Sequence, residues 1–285
     1  MIVAINYADE KYECTRKNNT KTAYQKGKVD KVIEYSPKDL DLKFREKNSI
    51  ILSYPRGAGL WIWKPYIILK TLDSLKDGDY LFYADAGTFY INKLQHLIDA
   101  LEESKQDMLP FELPLLERQF TKKETFALMN YSEYESNQIC GTYILLKKTN
   151  FTISFIQEWL DYMEDERICS FKYFCPEIEE FKDFCIHRED QSVFSILCKK
   201  YKLEVFRDPS NYGERPWMYG RNNWDIVLKK YKNSPYPTTI LSNRKMDPQK
   251  YKVKEFLMHY AWRMGIFNQK ICYFLHGVKR KPIFK

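Results

Sequence analysis

Residues Leu81-Phe82-Tyr83-Ala84-Asp85-Ala86-Gly87 run four apolar or aromatic side chains straight into one carboxylate, with two small residues after it. This pattern predicts a buried strand that delivers a negative charge to the carboxyl edge of a sheet. In open α/β sheets ligands bind at that edge. An Asp with no bulk behind it can hold a divalent cation against a diphosphate. The plainer alternative is an Asp that only begins a turn.

The rest of the chain supplies a setting for such a strand. Residues 2–6 read as a first strand, and residues 50–54 as a second, stopped by Pro55. Pro65 suits the start of a helix, and Ile67, Ile68, Leu72 and Leu75 continue it at helical spacing. Asp77-Gly78-Asp79 is a turn leading into residues 80–85. Leu94, Leu97, Ile98 and Leu101 mark a short amphipathic helix, and residues 106–137 read as mixed and irregular, with some helix. Residues 143–146 form a strand introduced by Gly141. Helices are expected over about 151–163 and 190–201, and a late strand over 203–206. Strands alternating with helices predict an α/β fold, Rossmann-like, with a mostly parallel sheet flanked by helices. Residues 1–210 are expected to form the main domain. Residues 211–285, rich in Tyr, Lys, Asn and Pro, are expected to form a loop-rich tail that closes the site.

Bulk properties narrow the function classes. A chain of 285 residues with 44% hydrophobic residues can bury one large α/β core. No apolar run approaches the roughly 18 residues that span a bilayer. The first residues read as a strand, not a leader, and seven scattered Cys without a CxxC pair suggest reduced thiols. A cytoplasmic location is therefore expected. The net charge of +8 suits a phosphorylated substrate, an anionic membrane surface or nucleic acid. A nuclease needs several clustered acids for two metals, and Asp85 stands alone among apolar residues, so no nucleic-acid partner is expected. P-loop, GxGxxG, GxSxG and HExxH patterns are absent from the sequence.

Three segments are candidates to meet at one site. The first is Tyr83-Ala84-Asp85-Ala86. The second is His187-Arg188-Glu189-Asp190-Gln191-Ser192, which opens a helix; its acids either oppose the helix dipole or face the cleft and orient a hydroxyl. The third runs from Arg56 to Pro65, where Gly57 and Gly59 allow close backbone approach. There Arg56 and Lys64 are suited to neutralise a diphosphate, while Trp61 and Trp63 are either core or ligand-facing. His259 and His276 are candidates to complete a metal site with Asp85, since imidazole suits Mn²⁺; each is equally readable as structural. At the end of the chain Lys279, Arg280, Lys281 and Lys285 surround Ile283 and Phe284, which fits docking on an anionic leaflet.

Taken together, Arg56-Gly-x-Gly-x-Trp-x-Trp-Lys-Pro65, Asp77-Gly-Asp-Tyr-x-x-Tyr-x-Asp-Ala-Gly87 and His187-Arg-x-Asp-Gln-Ser192 resemble GT-A-fold glycosyltransferases of bacterial and viral surface-polysaccharide (capsule or lipopolysaccharide) type. The order is also distantly similar to glycogenin-like retaining transferases. The resemblance covers roughly residues 1–210. It implies that Tyr83-Ala84-Asp85 stands where an Asp-x-Asp motif binds a metal, Mn²⁺ or Mg²⁺, and the donor diphosphate. Asp85 matches the second Asp, and Tyr83 replaces the first. It implies further that Asp190 and Gln191, with Glu189 beside them, form the catalytic set. Tyr83, Asp85, Ala86, Lys64, Arg56 and Trp63 would bind the donor, and Asp85 with His259 or His276 would hold the metal. The spacing of His276-Gly277 and Lys281-Pro282 departs from the family's C-terminal pattern. The implied activity is transfer of a hexose from a nucleoside-diphosphate sugar, UDP-linked by preference, to a glycan or lipid-linked acceptor, with retention, in a protein that is cytoplasmic or peripheral to the inner membrane face. The alternatives are a sugar-binding protein of the same fold without catalysis and, behind it, a basic nucleic-acid-binding protein or nuclease.

Overall fold

A computed structural model describes residues 1–221, 224–243, 248–264 and 283–284. Its strands are β1 (Ile2–Tyr7), β2 (Lys31–Tyr35), β3 (Tyr80–Ala84), β4 (Thr88–Tyr90), β5 (Met108–Leu109), β6 (Phe111–Leu116), β7 (Asn137–Ile139), β8 (Tyr143–Lys147), β9 (Phe206–Arg207), β10 (Val227–Leu228), β11 (Ile240–Ser242) and β12 (Ile283–Phe284). The main helices are α1 (Glu13–Thr22), α2 (Trp63–Ser74), α3 (Gln95–Ser104), α4 (Asn150–Met163), α5 (Glu189–Lys200) and α6 (Pro248–Arg263).

The central sheet has the order β2-β1-β3-β8-β5. Strand β1 runs parallel to both of its neighbours, whereas β8 runs antiparallel to β3 and β5. The sheet is therefore mostly parallel, with one reversed strand inside it. Strand β3 reads as a continuous apolar run because both of its faces are covered, the usual condition of a parallel interior strand. Leu81 and Tyr83 enter a core with Trp63, Ile67, Phe155, Trp159 and Phe194, which come from α2, α4 and α5. Phe82 and Ala84 point the other way, into a core with Leu97, Ile98 and Leu101 of α3. Smaller sheets pair β6 with β7 and β9, and β4 with β11.

Several local expectations are corrected. Residues 50–54 are not a strand: Ser49–Leu52 is a helical turn. The late strand is two residues long, Phe206–Arg207, so residues 203–205 lie outside it. Residues 106–137 supply β5 and β6 and lead into β7. Beyond residue 211 the described chain is not only loop. It contributes β11, which pairs antiparallel with β4, and the sixteen-residue helix α6. Among the described residues no helix is long and apolar enough to cross a membrane. Among the described residues Cys14, Cys140, Cys169, Cys175 and Cys198 form no disulfide. His276 and the basic residues Lys279, Arg280, Lys281 and Lys285 lie outside the described residues.

Candidate functional site

Asp85 directly follows β3, so the strand places its carboxylate at the sheet's carboxyl edge. Its backbone is fixed from two sides. Asp85 N–H donates to the carbonyl of Thr142 at 3.1 Å, and Thr88 N–H donates to the carbonyl of Asp85 at 2.9 Å. Asn19 of α1 braces the turn by donating to the Thr88 carbonyl at 3.0 Å, and Asn6, near the end of β1, donates to Asn19 Oδ1 at 2.9 Å. The side-chain Oδ1 accepts from the Tyr83 hydroxyl at 2.6 Å. Burial, and then the Asp85 charge, push the Tyr83 phenol well above its ordinary range, so it stays a donor.

Lys64 comes in from the first turn of α2. Its ammonium is buried and forms an ion pair with Asp190 Oδ2. It also donates to the carbonyl of Gly141 at 2.9 Å and lies 3.7 Å from Asp85 Oδ1. Burial works to lower the Lys64 pKa, but the Asp190 and Asp85 carboxylates outweigh it and hold the ammonium charged. Two carboxylates thus share one fixed cation. Their side-chain exposures, 28% for Asp85 and 8% for Asp190, decide which of them meets a ligand: Asp85 faces outward and Asp190 stands behind Lys64.

The start of α5 is held by several partners. Trp159 Nε1–H donates to the Asp190 carbonyl at 3.2 Å. Gln191 accepts from Gly141 N–H at 3.2 Å and donates to Gln138 Oε1 at 2.8 Å, so both ends of its amide are engaged by the protein. Glu189 pairs with Arg56 through two contacts, at 2.5 and 3.3 Å. Burial pushes the Glu189 carboxyl up to about 7, against the pull of Arg56. His187 is wedged between two backbone groups, accepting from Lys122 N–H at 3.3 Å and facing the Ile168 carbonyl at 3.1 Å. Burial, helped by the Lys122 charge, lowers its pKa to about 3 and keeps it neutral.

The backbone is unusual on both sides of the Arg56–Glu189 pair. Gly57, Ala58, Gly59, Leu60 and Trp61 all have positive φ, and Glu189 has φ of +34°. Left-handed conformation at Ala58, Leu60, Trp61 and Glu189 costs on the order of 1 kcal/mol or more each, and such outliers concentrate at functional sites. A Cβ at Gly57 would lie 2.3 Å from the Trp61 ring, so the turn requires glycine there.

The structure thus brings Asp85, Tyr83, Lys64 and Asp190 together, with Gln191, Glu189 and Arg56 adjoining. Trp63 is buried, stacked on Tyr7 at 3.8 Å with its indole N–H on the Gly57 carbonyl, and Ala86 is buried as well. His259 sits on α6 with its Nδ1 2.6 Å from Glu214. The sequence offered Gly141 only as the start of a strand, and gave no role to Gln138 or Trp159; all three act through backbone groups or through one another. A glycine directly before the strand at residues 143–146 was the only signal. A Cβ at Gly141 would sit 3.1 Å from Gln191 Cβ and 3.4 Å from Asp190 Oδ2.

A resident metal does not fit this donor set well. Among the described residues no group of three or more His, Cys, Asp or Glu could hold an ion. One oxygen of Asp85 is committed to Tyr83, and an ammonium occupies the space between Asp85 and Asp190.

No family model matches the chain, and no curated protein matches it. Among solved structures it is similar to mouse xyloside xylosyltransferase 1 in its apo form, at 9% identity and a TM-score of 0.45, over 85% of this chain and 97% of that one. It is also similar to a glycosyltransferase involved in the glycosylation of the major capsid of PBCV-1, at 8% identity and a TM-score of 0.40, over 90% of this chain and 98% of that one.

Proposed function

We propose that this chain is a glycosyltransferase that moves a hexose from a nucleoside-diphosphate sugar, a UDP-sugar by preference, to a hydroxyl of a surface glycan or lipid-linked acceptor, with retention, working in the cytoplasm or at the inner membrane face. The observation that carries this is the convergence of Asp85, Lys64 and Asp190 at the carboxyl edge of a mostly parallel sheet, where such sheets bind ligands.

In this reaction the bond from the anomeric carbon to the diphosphate oxygen breaks, and its electron pair leaves with the diphosphate. The acceptor hydroxyl oxygen bonds to the same carbon, and its proton passes to the departing diphosphate oxygen. Positive charge develops on the sugar between these events. Two carboxylates sharing one ammonium leave a net negative charge, fixed in a largely dry setting and suited to stabilise that state. Asp85, the exposed member, would contact the donor. Asp190 is a positioning residue through Lys64, and Gln191 one through Gly141. Arg56, whose side chain is 43% exposed beyond its pair with Glu189, is a cation that a diphosphate could reach.

A divalent ion fits here as part of the donor. Mg²⁺ sites commonly use one or two carboxylates and take their remaining ligands from phosphates and water. Asp85 supplies one such carboxylate, and the ion would neutralise charge on the leaving diphosphate. A second reading, a sugar-binding protein without catalysis, is favoured by Tyr83 in place of an acid. Thermal stabilisation by a panel of nucleotide sugars, with and without Mn²⁺, tests the donor class. Release of nucleoside diphosphate separates the two readings. Absence of stabilisation by every nucleotide would defeat the transferase reading and leave the sugar-binding one.

A further inference from the structure

Helix α6 has two unlike faces. On the inner one Tyr251 and Glu255 are buried; Glu255 pairs with Arg215, and His259 with Glu214. On the outer one Val253, Phe256, Leu257, Tyr260 and the following Met264 are 60, 69, 60, 57 and 59% exposed. Their spacing, i, i+3, i+4, i+7 and i+11, makes a single apolar stripe. Lysines border it: Lys254 is exposed on one side, and Lys252 on the other lies over the Phe89 ring at 5.0 Å. Lys21 and Lys26 stand close enough to Lys252 to depress its pKa, although burial is the larger cause. The one acid of the helix faces inward and is spoken for.

We propose that this outer face lies on an anionic lipid bilayer surface, with the apolar stripe entering the headgroup boundary and the lysines meeting the acidic headgroups. An apolar face edged by basic residues is the pattern of a helix that rests in a membrane interface, where each nearby cation contributes through the negative surface potential. Charge decides against the other occupants. A second copy of this chain would set the same lysines against one another. Residues 256–285 offer the lysines no counter-charge, since they include Arg263, Lys270, Lys279, Arg280, Lys281 and Lys285 and no Asp or Glu. The proposal is independent of the transferase reading, since vesicle binding reports on α6 and nucleotide stabilisation on Asp85.

The test is sedimentation of the full chain with phosphatidylcholine vesicles, with and without phosphatidylglycerol, alongside light scattering in free solution. Wild type is expected to pellet with the anionic vesicles and not with the neutral ones. Phe256→Ser/Leu257→Ser, at two exposed positions, is expected to lower that affinity roughly tenfold or more, from the burial each side chain loses, with melting temperature unchanged. Lys252→Glu/Lys254→Glu is expected to abolish the preference for anionic lipid. Equal pelleting of wild type and the serine variant, equal binding to both vesicle types, or no binding would overturn the proposal. A wild-type dimer that the serine variant dissolves would overturn it in favour of self-association.

Discussion

The Tyr83 hydroxyl donates to Oδ1 of Asp85, two residues further along the chain, at 2.6 Å. Alternate residues of a strand share a face, so the ring of one reaches the carboxylate of the other with no rearrangement. The tyrosine orients the acid beside it. Tyr83→Phe is expected to cost about 1.5–3 kcal/mol in urea denaturation, the net worth of a hydrogen bond to a charged group. An unchanged midpoint would mean that Asp85 is held by its backbone contacts alone.

Lys64→Met keeps most of the length of the side chain and removes its charge, leaving Asp190 buried without its cation. Loss of one member of a buried pair typically costs about 3–5 kcal/mol. Adding Asp190→Asn to this variant is expected to recover part of the loss, because it removes the stranded charge. If the double variant is less stable than the single one by the full cost of Asp190→Asn alone, the two residues are not coupled.

Glu189 and His187 pull the pH dependence of stability in opposite directions. The Glu189 carboxyl is raised from 4.5 to about 7, so the native state holds a proton that the unfolded chain has released, and this contribution is lost as pH rises through that window. The His187 ring is lowered from 6.5 to about 3, so its contribution is present above 6.5 and lost as pH falls toward 3. Between pH 4.5 and 6.5 the two slopes oppose each other. Glu189→Gln removes one of them. The stability of this variant relative to wild type should therefore rise with pH from 4.5 to 7, by about 1.4 kcal/mol per unit at most. A pH-independent difference in denaturation midpoints would show that Glu189 is ionised throughout.

If the ion arrives with the donor, Mn²⁺ alone should not shift the melting temperature of wild type. Mn²⁺ with a nucleoside diphosphate should raise it, and Asp85→Asn should remove that increment. A saturable shift with Mn²⁺ alone would point instead to a resident site.

Gly141→Ala would press a methyl group against Gln191 and toward Asp190. Contacts of 3.1–3.4 Å force neighbours to give by a few tenths of an ångström, and overpacking of this kind costs about 1–3 kcal/mol. The expected signature is a loss of donor binding larger than the loss of stability implies, measured by titration calorimetry on the folded variant.

The strand ending at Asp85 was legible because an interior strand covered on both faces must be apolar throughout. The partner of Lys64 was not, since Asp190 lies 126 residues away and only the fold joins them. Strand β6 was hidden by Pro114, which argues against a regular interior strand; its pairing register with β7 shifts between Glu112 and Leu116, across that proline. Residues 50–54 show the opposite error, a short apolar run with β-branched residues that periodicity cannot assign. The outer face of α6 has helical spacing in the sequence, but only the fold shows that its apolar side chains are exposed.

The reversed strand β8 bears on how the chain is made. Strands β1, β2 and β3 can assemble as soon as residue 84 has left the ribosome, but the neighbour that covers the far edge of β3 is encoded about sixty residues later. At roughly 5–20 residues per second, synthesis leaves that edge open for about 3–12 s. Its backbone donors and acceptors are unpaired in that interval, and its side chains are apolar or aromatic throughout. A nascent chain paused there would be the aggregation-prone species. Slowed translation between residues 84 and 143 should therefore lower the yield of folded protein more than the same delay placed after residue 147.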